Sequence, residues 1–117
     1  MSGAVSYHAG LSAEDQVARD YTQRGFPVEQ QRWRGKGGEI DLIARDGDGF
    51  VFIEVKKSRN HARAADRLSA RQIARLYDAA AEFLGQCPAG LNTPARFDVA
   101  LVDGQGGIEI VEKALWA

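Results

Sequence analysis

Alternating apolar and polar positions are the clearest pattern in this chain, and they run through two neighbouring segments, 39–45 and 50–56. The apolar members of the alternation are Ile40, Leu42, Ala44, Val51, Ile53 and Val55. A period of two over this length is typical of β-strands. Residues 46–49 read Asp-Gly-Asp-Gly, and these small, conformationally permissive residues suit a tight turn. The two segments are therefore predicted to form a β-hairpin.

The same pattern predicts the register of the hairpin. A two-residue loop at Gly47-Asp48 places Leu42 opposite Ile53, and a slip by one residue would set apolar positions against polar ones. Three carboxylates and one lysine then share a face as two facing pairs, Asp41 with Glu54 and Glu39 with Lys56.

Like charges directly opposite each other destabilise a sheet, so Asp41 and Glu54 need a compensating charge. Lys56 supplies one, and a bound Mg²⁺ or Mn²⁺ would supply more, because these cations prefer carboxylate, carbonyl and water oxygens. The alternative is an ordinary amphipathic hairpin with a solvated polar face. Three apolar residues fall on the charged face: Ile43, Phe50 and Phe52. They indicate that this face is covered, which favours the metal site.

Two helices are predicted outside the hairpin. Ser12 can cap the first, which runs to about Arg24 before Gly25 ends it. Its inner side carries Val17, Ala18 and Tyr21. Ser69 can cap the second, which runs to about Leu84. Its predicted buried face carries Ile73, Leu76, Ala80 and Phe83. Residues 58–67 are polar and without period, so a loop is predicted there.

Three more strands complete the predicted sheet. They are residues 27–34, a strand carrying Phe97, Val99 and Leu101, and a short edge strand at 108–112. A strand-helix-strand unit from 50 to 101 would make the third and fourth strands parallel. The order α-β-β-β-α-β-β predicts an α/β fold, a mixed sheet flanked by helices. Residues 11–117 are predicted to form one domain after a flexible tail at 1–10.

The formal net charge of −1 argues against a protein that coats nucleic acid through overall positive charge. The basic residues are, however, unevenly distributed. They cluster on both sides of the acidic hairpin, at Arg32, Arg34, Lys36, Lys57, Arg59, Arg63, Arg67, Arg71 and Arg75. The last three recur every four residues and align on one helix face. Such a stripe could follow the phosphates of a nucleic acid; the other interpretation is a solvated helix face.

Cys87 is the one cysteine, so no internal disulfide can form, which fits a reducing cytoplasm. It is expected to pack at a helix end rather than to react. No apolar run approaches the length that spans a membrane, and the N-terminus lacks a signal-peptide pattern. A cytoplasmic protein with no membrane partner is therefore predicted.

The hairpin resembles the PD-(D/E)xK nuclease superfamily, in which an Asp on one strand precedes (D/E)xK on the next. Asp41 matches the first acid, and Glu54-Val55-Lys56 matches the triplet. More narrowly, GEIDLIA at 38–44 followed by FIEVK at 52–56 is similar to the YraN-like family of small bacterial proteins, which are related to archaeal Holliday junction resolvases. The similarity runs from about residue 10 to the C-terminus. A family position that is often Lys is Gln72 here.

The resemblance implies a restriction-endonuclease-like core and a metal-dependent endonuclease that hydrolyses DNA phosphodiester bonds, at branched or junction DNA in repair or recombination. Asp41 and Glu54 would bind Mg²⁺ or Mn²⁺, with the Val55 backbone carbonyl as a further ligand. Lys56 would position or deprotonate the attacking water, or stabilise the transition state. Ala13-Glu14 is similar to the family's N-terminal Gly-Glu, so Glu14 is carried over as a catalytic, metal-binding residue.

Several roles stay open at this level. Glu14 can equally be a first-turn acid that stabilises its helix dipole. Glu39 can be an outer metal ligand or the ion-pair partner of Lys56, and the ion pair is favoured. Asp98 is expected to pair with Arg96 rather than to act in catalysis.

A different class of function is also compatible with the sequence. The chain could bind nucleic acid or a protein partner on a nuclease-like scaffold without turnover, because fold does not fix function. It could also be a structural part of a larger complex that docks through the apolar residues 114–116. Cleavage of a four-way junction would need two active sites and hence a homodimer, but no segment identifies a dimer face.

Overall fold

The computed structural model describes residues 12–57 and 68–114. Their elements are α1 (Ala13–Gln23), β1 (Val28–Arg34), β2 (Glu39–Asp46), β3 (Gly49–Lys57), α2 (Ala70–Leu84), a 3-10 turn (Gly90–Asn92), β4 (Ala95–Val102) and β5 (Ile108–Val111). The order α-β-β-β-α-β-β and the α/β class are as predicted. The predicted tail at 1–10 and the predicted loop at 58–67 lie outside the described residues.

The five strands form one sheet in the order β1-β2-β3-β4-β5. Three neighbouring pairs are antiparallel, whereas β3 and β4 run parallel, as predicted for strands joined through a helix. The result is an open mixed sheet flanked by helices, consistent with a nuclease-like core. No helix in the described ranges is long and apolar enough to cross a membrane.

The hairpin has the predicted register. Leu42 lies opposite Ile53 and Asp46 opposite Gly49, which leaves Gly47 and Asp48 as the two-residue loop. Gly47 has a φ of 60°, a left-handed conformation that glycine adopts without steric penalty.

Beyond Leu42 and Ile53 the backbone ladder between β2 and β3 ends. The predicted rungs between Asp41 and Glu54 and between Glu39 and Lys56 are therefore not formed. The Val55 N–H instead donates to the Asp41 carboxylate at 2.8 Å, so a side chain takes the place of a backbone acceptor. Past this point β2 pairs with β1 and β3 pairs with β4, and a cleft opens between β2 and β3.

The sheet separates two apolar clusters, one under each helix. On the α2 side, Phe52 and Ile43 pack with residues that include Leu76, which confirms that the charged face of the hairpin is covered. On the α1 side, the cluster includes Leu42, Ala44, Val51 and Ile53. Ile40 was predicted to share the face of Leu42 but belongs to the α2-side cluster. The strict alternation of β2 is broken at the position where the strand leaves β3.

Both helices begin at the predicted caps. Ser12 accepts a hydrogen bond from the Asp15 N–H at 3.1 Å. At α2, the Ser69 side chain accepts from the Gln72 N–H while the Gln72 side chain accepts from the Ser69 N–H. This reciprocal capping box fixes the start of the helix. Of the residues predicted inside α2, Leu76 and Ala80 are buried and two are partly buried, Ile73 and Phe83. Ala79 and Leu84 are also buried.

Candidate metal and nucleic-acid site

A pocket opens where β2 and β3 separate. Its strand side is lined by Gly38, Glu39, Asp41, Glu54 and Lys56, and its helix side by Gln72, Arg75 and Leu76 from α2. The structure thus brings the four charged residues of the hairpin together, although the backbone ladder between them is absent. An acidic strand wall therefore faces a helix wall that carries Arg75.

The Glu54 carboxyl is the most perturbed group in this pocket. Burial, a hydrogen bond with Asp41 and the negative charge of Asp41 raise the pKa of Glu54 to about 9, while the charge of Lys56 opposes the rise. In the protein alone, Glu54 thus keeps its proton at neutral pH and shares a hydrogen bond with Asp41. Two carboxylates this close cannot both ionise without a compensating charge.

This donor set fits a divalent cation. Mg²⁺ is bound in proteins by one or two carboxylates while it keeps waters and takes substrate phosphate oxygens. Asp41 and Glu54 provide the two carboxylates, and a cation there would replace the proton that Glu54 now holds. In residues 12–57 and 68–114, no three or more His, Cys, Asp or Glu side chains are grouped closely enough to hold a metal. The carboxylate pair is thus the candidate, and the predicted part of the Val55 carbonyl stays a prediction.

Glu14 lies in the first turn of α1 and is not among the residues that line the pocket. Its carboxylate accepts a hydrogen bond from Arg32 Nε at 3.3 Å. Its negative charge nevertheless reaches the Glu54 carboxyl and contributes to the raised pKa there. Glu14 is therefore paired with a guanidinium outside the pocket, and its predicted part as a metal ligand stays a prediction.

Glu39 does not pair with Lys56 as predicted. Its carboxylate instead lies 3.7 Å from Arg34, its neighbour across β1 and β2. Since the ladder between β2 and β3 ends before Glu39, the strand carries Glu39 toward β1 rather than toward Lys56. The ammonium of Lys56 remains in the pocket, where its charge acts on Glu54.

The predicted nucleic-acid contacts are placed unevenly around the pocket. Arg75 lines it directly. Exposed positions are held by Arg32, Arg34, Lys36, Lys57 and Arg71. The positions Arg59, Arg63 and Arg67 lie outside the described residues, so the three-residue arginine stripe is described at Arg71 and Arg75 alone. No finding tests whether these residues contact nucleic acid.

Sequence reasoning missed the glycines that join β1 to β2. A Cβ at Gly38 would lie 3.1 Å from the Arg75 carbonyl oxygen, and one at Gly35 would lie 2.6 Å from the Glu82 carboxylate. The Lys36 N–H donates to that carboxylate at 2.8 Å. The loop backbone is thus fixed directly against α2, which sets the spacing of the two pocket walls. The run Gly-Lys-Gly-Gly at 35–38 could have indicated a loop whose backbone packs closely against another element.

A second carboxylate site lies on the α1 side of the sheet. Asp98 is fully buried and accepts hydrogen bonds from the Tyr21 hydroxyl at 2.7 Å, Arg96 Nε at 3.2 Å and the Lys113 N–H at 3.1 Å. Burial and the bond to Asp98 raise the pKa of Tyr21. The predicted pairing of Asp98 with Arg96 is confirmed, and this cluster joins α1 to the sheet.

The expected packing of Cys87 is confirmed. It is partly buried just beyond α2, where its thiol lies 3.8 Å from the Phe83 carbonyl oxygen.

Comparison with known proteins agrees with the hairpin motif. The model of the family described as "Uncharacterised protein family UPF0102" matches residues 13–102. A UPF0102 protein of Cereibacter sphaeroides (strain KD131) is 61% identical over 117 residues, 100% of each chain. One from Ruegeria pomeroyi is 60% identical over 112 residues, 96% of this chain and 91% of the relative. One from Dinoroseobacter shibae is 45% identical over 109 residues, which are 93% of this chain and 81% of the relative. The YraN-like resemblance is confirmed, and the chain belongs to the UPF0102 family.

Proposed function

We propose that this protein is a Mg²⁺- or Mn²⁺-dependent nuclease that hydrolyses DNA phosphodiester bonds. The observation that carries the proposal is the meeting of Asp41, Glu54 and Lys56 in one pocket, opposite Arg75. A partly buried pair of carboxyl groups lowers the stability of the fold, and perturbed carboxyl groups are concentrated at functional sites. The PD-(D/E)xK resemblance of the same three strand residues points to the same chemistry.

Four charged residues of the pocket have a part in this reaction. Asp41 and Glu54 would hold the cation, and Asp41 is itself oriented by the Val55 N–H. The Lys56 ammonium can orient a water or stabilise charge that develops on the phosphate, because a compact ammonium suits either task. Arg75, on the helix wall, can bind a neighbouring phosphate oxygen. When bound, the cation would supply a more acidic water and neutralise phosphate charge.

Branched DNA is the substrate class we infer from the family relation to archaeal Holliday junction resolvases. The exposed residues Lys57 and Arg71 follow and precede, respectively, Lys56 and Gln72, which line the pocket. Contacts to phosphates on either side of the cleft would recognise the charge and shape of the DNA backbone rather than its base sequence.

A panel of labelled four-way, flap, nicked, linear and single-stranded DNAs tests the proposal, with Mg²⁺ or Mn²⁺ present. We expect the wild type to cut at least one branched substrate, and the Asp41→Asn and Lys56→Ala variants to lose at least about 100-fold in rate, as for groups acting at the transition state. Glu39→Gln is the matched control, because it removes a carboxylate from the same pocket that already pairs with Arg34. Equal rates for Asp41→Asn and Glu39→Gln would sink the proposal.

A binding module without turnover is the second candidate function. One observation favours it: the described residues assemble two candidate carboxylate ligands rather than three, because Glu14 is held by Arg32. In that case the wild type would bind the DNA panel without cutting it, and Asp41→Asn would leave binding unchanged.

A further inference from the structure

Arg32 has an unusual backbone conformation for its place in the fold. It lies inside β1 with a φ of 52°, and among the described residues Lys113 is the other non-glycine with a positive φ. This left-handed conformation is unfavourable for any residue with a side chain of this size. Strain of this kind persists where the surroundings impose it and is concentrated at functional sites.

The strained residue lies across from the candidate metal ligand Asp41. Gln31 pairs with Leu42 and Trp33 pairs with Ile40, but the rung between them, which would join Arg32 to Asp41, is absent. The missing rung therefore adjoins the point at which β2 leaves β3 and the pocket opens.

The Arg32 guanidinium contacts Glu14. The Arg32 side chain is 68% exposed and the Glu14 side chain 24% exposed, with 3.3 Å between Nε and Oε1. An ion pair this open to water adds little stability, because solvent screens it. The pair therefore does not account for the strain at Arg32. The missing rung between Arg32 and Asp41 places the strain beside a residue that lines the candidate metal pocket, which points to a function there.

We propose that Arg32 is an internal counter-ion that holds Glu14 until a divalent cation at the Asp41 pocket displaces it. This inference rests on the proposed function and names the residue that keeps the third carboxylate in reserve. A divalent cation carries twice the charge of the guanidinium, so it competes effectively for Glu14. The released guanidinium stays beside the pocket, where its planar fork matches a phosphate of the substrate.

Calorimetric titration of Mn²⁺ into the full chain without DNA tests this step. Arg32→Gly removes the guanidinium and tolerates the positive φ, and Arg32→Asn is a second variant that suits the left-handed region. We expect both to bind Mn²⁺ about two- to fivefold more tightly, in line with loss of an exposed ion pair. The gain should vanish when Glu14→Gln is added, as a double-mutant cycle requires for a direct interaction.

Arg34→Gly is the matched control, since it removes a neighbouring arginine of β1 that pairs with Glu39 instead. Any gain it causes should persist in the Glu14→Gln background. Weaker Mn²⁺ binding in Arg32→Gly, or a gain that does not depend on Glu14, would overturn the counter-ion role and leave the metal site intact. Absence of Mn²⁺ binding in every form would overturn both the counter-ion role and the proposed nuclease.

Discussion

Two carboxylate sites on opposite sides of the same sheet differ in how many hydrogen-bond donors and positive charges the fold places around them. Asp98, on the α1 side, is fully buried and accepts four hydrogen bonds, one from Tyr21, two from Arg96 and one from the Lys113 backbone. Glu54, beneath α2, has another carboxyl group as its hydrogen-bond partner, and its pKa rises to about 9. In the first site the chain surrounds one carboxylate with donors and an arginine, whereas in the second the charge of Lys56 only partly offsets two neighbouring carboxyl groups. This difference separates a structural carboxylate from a candidate functional one.

Substitution of Asp98 should have the largest effect on stability. Asp98→Asn removes the charge of a fully buried carboxylate that lies 3.2 Å from Arg96, and Arg96 keeps two more distant carboxylates, Asp46 and Glu112. We expect a loss of about 3 kcal/mol, the low end for breaking a buried pair. Urea unfolding followed by circular dichroism would measure this loss. Tyr21→Phe, which removes one hydrogen bond from the same cluster, should cost only about 1–2 kcal/mol. A cost below about 1 kcal/mol for Asp98→Asn would mean that the two sites do not differ as described.

Substitution of Glu54 should change stability in the opposite direction. Glu54→Gln removes a carboxyl group whose ionisation the fold opposes, so the metal-free variant at pH 8 should melt at least about 4 °C higher than the wild type, the shift given by about 1 kcal/mol. The same variant should lose the stabilisation that Mn²⁺ gives. Glu39→Gln, an exposed control in the same pocket, should shift the melting temperature by less than about 1 °C. A lower melting temperature for Glu54→Gln would contradict the comparison.

The pH dependence of stability sharpens the same comparison. Because folding raises the pKa of Glu54 from 4.5 to about 9, the folded state binds more protons than the unfolded state between these values. This contribution to stability is complete below pH 4.5 and is lost as the pH rises toward about 9. Metal-free wild type should therefore lose stability over this range, by at most about 1.4 kcal/mol per pH unit. Urea unfolding at several pH values would show a flatter profile in Glu54→Gln; identical profiles would exclude Glu54 as the cause.

A smaller effect is expected at the loop that sets the width of the pocket. Gly38→Ala would place a methyl group 3.1 Å from the Arg75 carbonyl oxygen, so α2 must shift by a few tenths of an ångström. We expect a loss of about 1 kcal/mol in thermal unfolding and a weaker contribution of Arg75 to DNA binding. Gly104→Ala is the control, because a Cβ there meets nothing within 4 Å. Equal stability of the two variants would show that the loop does not set the spacing.

The sequence predicted the parts of this structure that periodicity and turn chemistry determine. The hairpin register followed from alternation and a two-residue turn, and both helix starts followed from Ser12 and Ser69. Asp41 and Glu54 were predicted to share one face, and the pocket brings them together although their backbone rung is absent. These are local rules, in which each residue's place depends on close neighbours along the chain.

The rest depended on contacts that no periodic pattern records. The separation of β2 from β3 is stabilised by the bond from Val55 to the Asp41 side chain, and periodicity alone predicts a continued ladder. The ion pairs of Glu14 and Glu39 with arginines of β1 follow from that separation and from the left-handed conformation of Arg32. Backbone strain at a single arginine has no signature in composition or spacing.

The most direct test of the central claim is the number of protons released when Mn²⁺ binds. Calorimetric titrations at pH 7.5 in two buffers of different ionisation enthalpy would measure it. If the cation takes the place of the proton on Glu54, the wild type should bind Mn²⁺ and release about one proton per ion, and Glu54→Gln should release none. Mn²⁺ binding without proton release, or with the same release in Glu54→Gln, would contradict the assignment of Asp41 and Glu54 as a divalent-cation site.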